Sequence, residues 1–153
     1  MITAWRIVHA AYADDIFSGE GSRKFSARWH KAGHRVVYTA STISLATLEL
    51  IVNTPRAQLL TDFVVTSCTF PEVIVEELDE KRLPRDWRDY PPPPELQQLG
   101  MDWLLSGTSA VLSVPSAVIP EERNYLLNPE HEHFGSVDVG PARPFRIDLR
   151  LLT

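Results

Sequence analysis

"RVVYTASTISLATLELIVNTP", Arg35 to Pro55, places a strand directly before a helix, and the fold is read outward from that junction. "RVVYTA" is rich in β-branched and aromatic residues, which favour a pleated, half-buried strand. Ser41 or Thr42 supplies a side-chain oxygen to cap the helix "ISLATLELIV", which Pro55 ends. From Val36 to Pro55 the only charged residue is Glu49, and helical spacing sets it on a face with Leu45, Leu48 and Val52. A carboxylate buried on an apolar face must meet a hydrogen-bonding partner, take up a proton or line a pocket. Two readings stand: a core glutamate salt-bridged to an arginine upstream, or a functional carboxylate with a perturbed pKa.

Upstream lies "SRKFSARWHKAGHR". It carries Arg23, Lys24, Arg28, Lys31 and Arg35 with His30 and His34, and no acid. The chain as a whole has net charge −5, so this local excess marks a site for a small anion. Arg28, beside Trp29, is the candidate for forked hydrogen bonds to phosphate oxygens, while Lys31 and Arg35 read as solvated turn charges. The glycines of "SGEGSR" do not do this work. A dinucleotide fingerprint needs glycine at Lys24, and Glu20 would repel a phosphate.

Composition narrows the class. With 153 residues, 44% hydrophobic and 23% charged, the chain reads as one globular domain over residues 1–153. Its acidic balance is opposite to that of a nucleic-acid binder. No apolar run approaches the roughly 18 residues of a membrane helix and the start lacks a secretory pattern, so a cytoplasmic protein without membrane contact is expected. Cys68 has no cysteine partner and reads as a buried thiol. "HEHF", His131 to Phe134, offers two metal ligands without the H-E-x-x-H pattern, so no metal is expected.

The remaining segments read as mostly strands. "TAWRIVHA" is the first, Phe17 to Lys31 is irregular, and "FVVTSCTF" and "VIVEEL" are two more strands parted by Pro71. "PRDWRDYPPPPELQQ" is a proline-rich connection, read as a rigid surface spacer over an SH3 or WW ligand. "ELQQLGMDWLLSG" is an amphipathic helix with Leu96, Leu99, Trp103 and Leu104 at core spacing and Gly107 at its stop. "SAVLSV", "SAVI" and "FRIDLRL" complete the strands. The sum is a strand-dominated α+β domain with two or three helices.

Two long, ordered stretches, "FSGEGSRKFSARWHKAGHRVVYTASTISLATLELIV" and "VPSAVIPEERNYLLNP", resemble the RES domain, the toxin half of a class of bacterial toxin–antitoxin pairs. The likeness runs from Arg6 to about Phe145. It implies a fold related to the ADP-ribosyltransferase toxins and an activity that consumes NAD⁺ as substrate. On this resemblance the functional residues are Arg28, Tyr38, Glu49 and Ser116, with Ser113 open as the alternative serine. Asn124 belongs to the "NYLLNP" pattern expected to shape the pocket. Members usually show two glycines before the arginine and an asparagine after the tryptophan, where this chain has Ser26, Ala27 and His30.

The implied chemistry gives the basic stretch a purpose. Arg28 would hold a pyrophosphate, with Trp29 and Arg23 beside it in the cofactor site. Tyr38 would stack on nicotinamide and orient the adjoining ribose with its hydroxyl, and Glu49 would face the positive charge that develops on that ribose. The resemblance further implies a cognate Xre-type helix-turn-helix antitoxin that occludes the pocket in an oligomeric complex and carries any DNA binding. Two other readings remain: a ribonuclease or RNA-binding toxin using residues 23–35 with His30 and His34 as acid and base, and a non-catalytic anion-binding module.

Overall fold

In a computed structural model, which describes residues 1–152, eight strands form one sheet. The strands are β1 (Ile2–His9), β2 (Val37–Ala40), β3 (Phe63–Phe70), β4 (Val75–Glu77), β5 (Val111–Pro115), β6 (Arg123–Leu127), β7 (Asp138–Val139) and β8 (Arg143–Phe145). Their order is β4-β5-β6-β2-β1-β3-β7, with β8 also on β3. Among the described residues only β4 and β5 pair in parallel. The helices are α1 (Glu20–Lys24), α2 (Ile43–Asn53), α3 (Arg56–Leu59) and α4 (Pro94–Ser106). The strand-dominated α+β architecture is the one the sequence leads to.

The sheet has one weak seam. β1 pairs with β3 along its whole length, from Ile2 opposite Phe70 to His9 opposite Phe63, but meets β2 only where Trp5 faces Ala40. Away from that point the two strands part. Arg6 occupies the gap, its Nη1 donating to the Tyr38 carbonyl at 3.0 Å and its Nε to the Ile16 carbonyl at 2.8 Å. A side-chain bond replaces a ladder bond there, so the Tyr38 carbonyl at the opened seam stays satisfied.

Each face of the sheet has its own core. Ala4, Val37, Cys68, Phe70, Val111 and Leu127 pack together on one side, with the Cys68 thiol buried as expected and pushed up to about 12 by that burial. On the other, α4 lays Leu96 and Trp103 on Leu112 and Leu126, with Trp29 and Val36 completing the cluster. Thr42, rather than Ser41, caps α2, accepting from the Leu45 N–H at 3.0 Å. Gly107 ends α4 at φ 64°, where a side chain would be strained.

Several elements differ from the sequence reading. "SAVI" is a turn, because Ser116 Oγ accepts the Val118 and Ile119 N–H groups and curls the chain. "RNYLL" is the strand β6 instead, paired on both sides by β5 and β2. Of "FRIDLRL" only Phe145 is in a strand, and Leu149–Leu152 form a 3-10 turn. Pro55 serves as the cap residue of α3 as well as following α2. Among the described residues no helix is long and apolar enough to cross a membrane.

Candidate active site

A cleft of about 930 Å³ opens at the seam between β1 and β2, bounded by α2, the 26–29 turn and the proline-rich segment. That volume lies in the range of small-molecule sites. Its charged lining residues are Arg6, Arg28, Arg88 and Glu49. One carboxylate therefore faces three guanidinium groups.

Glu49 projects from the middle of α2. Its Oε2 accepts the Ser116 hydroxyl at 2.9 Å and its Oε1 the Asn124 amide at 2.8 Å. Both donors come from the ends of adjacent strands. Ser116 follows β5, and Asn124 on β6 pairs with Ala40, the residue at which β2 touches β1. The carboxylate is thus pinned at the point where the sheet divides. Burial raises the Glu49 pKa above the usual carboxylate range, and the bonds from Asn124 and Ser116 hold it down in part. Among the described residues no arginine forms an ion pair with it, so the salt-bridge reading of Glu49 gives way to two neutral donors. Ser113 is engaged elsewhere, accepting from Arg123 Nε at 2.9 Å.

The inward face of α2 also differs from expectation. Leu45 and Ala46 are buried beside Glu49, whereas Leu48 and Val52 are exposed. This helix is apolar nearly all round, so its periodicity contains both Leu45 and Glu49 but cannot fix which flank faces inward.

Elsewhere in the cleft wall, Arg28 Nη1 donates to the carbonyls of Trp87 at 2.7 Å and Asp89 at 3.2 Å. Burial lowers the Arg28 pKa, opposed by Tyr38, Asp89 and Tyr90. The proline-rich segment, read as a surface spacer, is in fact the cleft's rim, with Tyr90, Pro91 and Pro92 lining it. Arg88 fastens that rim to the turn after Ser116, donating from Nε to the Ala117 carbonyl at 2.9 Å.

Tyr38 lines the cleft, but its hydroxyl is committed inside the protein rather than available to a ribose. It accepts the Trp29 N–H at 3.3 Å and lies 2.6 Å from His30 Nδ1. His30 Nε2 faces the carbonyls of Ser22 and Phe25 at 2.8 and 2.9 Å, so in the neutral ring the proton sits on Nε2 and Nδ1 accepts from Tyr38. Burial holds the Tyr38 phenol far above the ordinary tyrosine range, which keeps it a donor. His30 is 1% exposed, so it cannot serve RNA as an acid or base.

The other basic residues do not gather at the cleft. Arg23 is ion-paired to Glu20 at 2.9 Å and lies outside the lining, and Arg35 shares the same carboxylate at 3.2 Å. Trp29 borders the cleft but is 3% exposed, its ring packed into the core beneath α4, so it adjoins Arg28 with little of its ring open to a ligand. Ala27 adopts no strained backbone, since among the described residues positive φ occurs only at glycine. His131 and His133 lie away from the cleft, His131 Nε2 bonding the Gly107 carbonyl at 2.8 Å.

Sequence reasoning missed Arg6 and Arg88. Arg6 had a signal of the same kind as Glu49, a lone charge within an apolar strand. Arg88, inside a polar loop, had none.

A sequence model described as the RES domain matches residues 3–148. The chain belongs to the RES domain family. "Toxin Res" of Photorhabdus laumondii is 36% identical over 149 residues, covering 97% of this chain and 96% of that protein. The "Prs ADP-ribosylating toxin" of a Sphingobium species is 31% identical over 153 residues, covering 97% and 95%. A chain of the crystal structure of the M. tuberculosis MbcT–MbcA toxin–antitoxin complex superposes with a TM-score of 0.79 at 17% identity, over 95% of this chain and 84% of that one. This RES domain therefore shares that fold.

Proposed function

We propose that this RES domain chain is the toxin of a toxin–antitoxin pair and consumes NAD⁺ by cleaving its nicotinamide–ribose bond at Glu49. The observation that carries the reading is the Glu49 carboxylate, half-buried, oriented by Ser116 and Asn124, in one cleft with Arg28. The names of its relatives, toxins and one ADP-ribosylating toxin, support the same class.

The chemistry follows from charge. Cleavage sends the bonding electron pair to the nicotinamide nitrogen, so the cationic ring leaves neutral and needs no general acid. Positive charge develops on the ribose, and a carboxylate fixed beside it stabilises that charge without reorganising. Ser116 and Asn124 hold Glu49 in place but neutralise it only by hydrogen bonding, leaving its charge for the sugar. Arg28 retains N–H groups beyond those bonded to Trp87 and Asp89, and a guanidinium fork suits a pyrophosphate. Tyr38 presents its ring, its hydroxyl being held by His30. Water, phosphate or a protein nucleophile then bonds to the ribose carbon and releases its own proton.

A drain on NAD⁺ must be held in check. The partner in this reading is an Xre-type helix-turn-helix antitoxin that inserts an acidic or carboxylate-ended segment into the cleft, where Arg6, Arg28 and Arg88 favour it. Such occlusion raises the apparent KM for NAD⁺.

The test is nicotinamide release from NAD⁺ by the purified chain, with products compared with and without phosphate. Glu49→Gln keeps the shape and loses the charge, and release falls by about 10²-fold or more with the fold intact. Near wild-type release by that variant removes Glu49 from the mechanism.

A further inference from the structure

The rim of the cleft carries an aromatic ring with no work inside the protein. Tyr90 is 83% exposed, lines the cleft beside Pro91 and Pro92, and makes no ring contact with another aromatic among the described residues. An exposed tyrosine is unremarkable on a free loop. This one sits on backbone that is held from both banks. Arg28 binds the carbonyls of Trp87 and Asp89, and Arg88 binds that of Ala117 across the opening. Four prolines follow, Pro91 to Pro94, fixing φ and stiffening the chain into α4. The ring is therefore a preformed face whose backbone is already ordered before a ligand arrives.

Its position selects the ligand. The Asp89 carbonyl, one residue before Tyr90, lies 3.2 Å from the guanidinium that the preceding reading gives to the pyrophosphate. Glu49, the carboxylate that the preceding reading gives to the reacting ribose, lines the same cleft with the apolar Ala46 and Leu50 beside it. In a dinucleotide the adenosine is joined to the pyrophosphate on the side away from the nicotinamide ribose. A ligand with one ribose at Glu49 and its pyrophosphate at Arg28 carries its second base onto the Tyr90 rim.

We infer that Tyr90, backed by Pro91 and Pro92, is the stacking platform for the adenine of NAD⁺ and sets the preference for the dinucleotide over its mononucleotide half. This rests on the NAD⁺ reading above. A purine presents a flat π-face to a tyrosine ring, and truncating such a platform to alanine typically weakens binding by about five- to a hundredfold. Because stacking occurs far from the bond that breaks, it is equal in ground and transition states and enters KM rather than kcat.

The experiment uses the full chain and three probes: NAD⁺, nicotinamide mononucleotide, which keeps the reacting ribose but lacks adenosine, and ADP-ribose, which keeps adenosine and pyrophosphate. Tyr90→Ala raises the KM for NAD⁺ about tenfold, lowers selectivity for NAD⁺ over the mononucleotide by the same factor, and weakens ADP-ribose binding in calorimetry. Tyr90→Trp restores all three. Unchanged KM and unchanged ADP-ribose affinity in Tyr90→Ala overturn the inference and leave the rim to a protein partner. An equal loss on NAD⁺ and the mononucleotide also overturns it, since that pattern means a disturbed rim rather than a lost base contact. Should the wild type release no nicotinamide yet bind ADP-ribose in a Tyr90-dependent way, the catalytic reading fails while the adenine platform stands.

Discussion

Gly100→Ala sets two opposing effects against each other at the back of the site. Alanine in place of a helical glycine normally stabilises by about 1 kcal/mol, because it restricts the unfolded chain. Here a Cβ on Gly100 would lie 1.7 Å from the Trp29 carbonyl oxygen and 2.7 Å from its carbon. Ordinary carbon-to-carbonyl contact begins near 3.3 Å, so α4 and the 26–30 turn must separate by about 1.5 Å. The obstacle is backbone and cannot rotate away, which puts the cost at the upper end of the roughly 1–3 kcal/mol of overpacking. The clash wins by about 2 kcal/mol, lowering Tm by roughly 4–8 °C in a chain of this size. The same movement strains the Gln97 amide bond to the Ala27 carbonyl, now 3.0 Å, and shifts Arg28, which lies between Ala27 and Trp29. Misplacement on the scale of 1 Å costs about 10²-fold in catalysis. Differential scanning fluorimetry and nicotinamide-release kinetics read both effects. A Gly100→Ala protein that melts higher than wild type and keeps its KM would show that α4 does not abut the Trp29 backbone, and the account of how Arg28 is positioned falls with it.

Arg28→Lys raises the KM for NAD⁺ strongly, since a point charge cannot hold two rim carbonyls and a pyrophosphate together; normal binding by calorimetry removes the pyrophosphate assignment. The pH profile of kcat/KM falls on the acid side with a midpoint above the usual glutamate range, because burial raises the Glu49 pKa and the mechanism needs the carboxylate charged. In Asn124→Ala that midpoint moves higher still, as a bond that favours the charged form is lost; a shift downward contradicts the assignment. Tyr38→Phe keeps the ring and strips the Trp29 N–H and His30 Nδ1 of their shared partner, costing about 2–4 kcal/mol by thermal melting. An unchanged Tm argues that His30 does not hold Tyr38.

How far the sequence could be read depended on whether a residue's partner was near it in the chain. The β2–α2 junction was legible because strand composition, the Thr42 cap and the helix all lie within a few residues. Glu49 stood out for the same reason, as a charge contradicting its own neighbourhood. Its partners came only through the family resemblance, since Ser116 and Asn124 lie 67 and 75 residues away and only the pairing of β5 with β6 brings them together. The 116–119 turn was misread as strand because its apolar residues mimic one, while the deciding bonds come from a serine hydroxyl. The basic segment misled in the opposite direction. Its charges are contiguous in sequence, yet Glu20, only three residues before Arg23, neutralises that arginine and Arg35 as well.

What finally makes a site here is the failure of two strands to pair. A complete β1–β2 ladder would close the seam and leave α2 packed on continuous sheet, with nowhere for a ligand to meet Glu49. Arg6 makes the incomplete ladder tolerable by bonding the Tyr38 and Ile16 carbonyls, and burial pushes its guanidinium only down to about 10, so it stays charged at neutral pH. The residue that keeps the seam open is therefore also a cation in the cleft. Glu49, pinned where the seam begins by Ser116 and Asn124, and Arg28, pinned to the rim, both line the cleft that opens there. Each of these groups is held by bonds to backbone or neutral side chains rather than by pairing with one another. Opposite charges in one cleft would otherwise collapse into a salt bridge, and their being anchored apart is what leaves both available to a substrate that carries an anion at one end and develops a cation at the other.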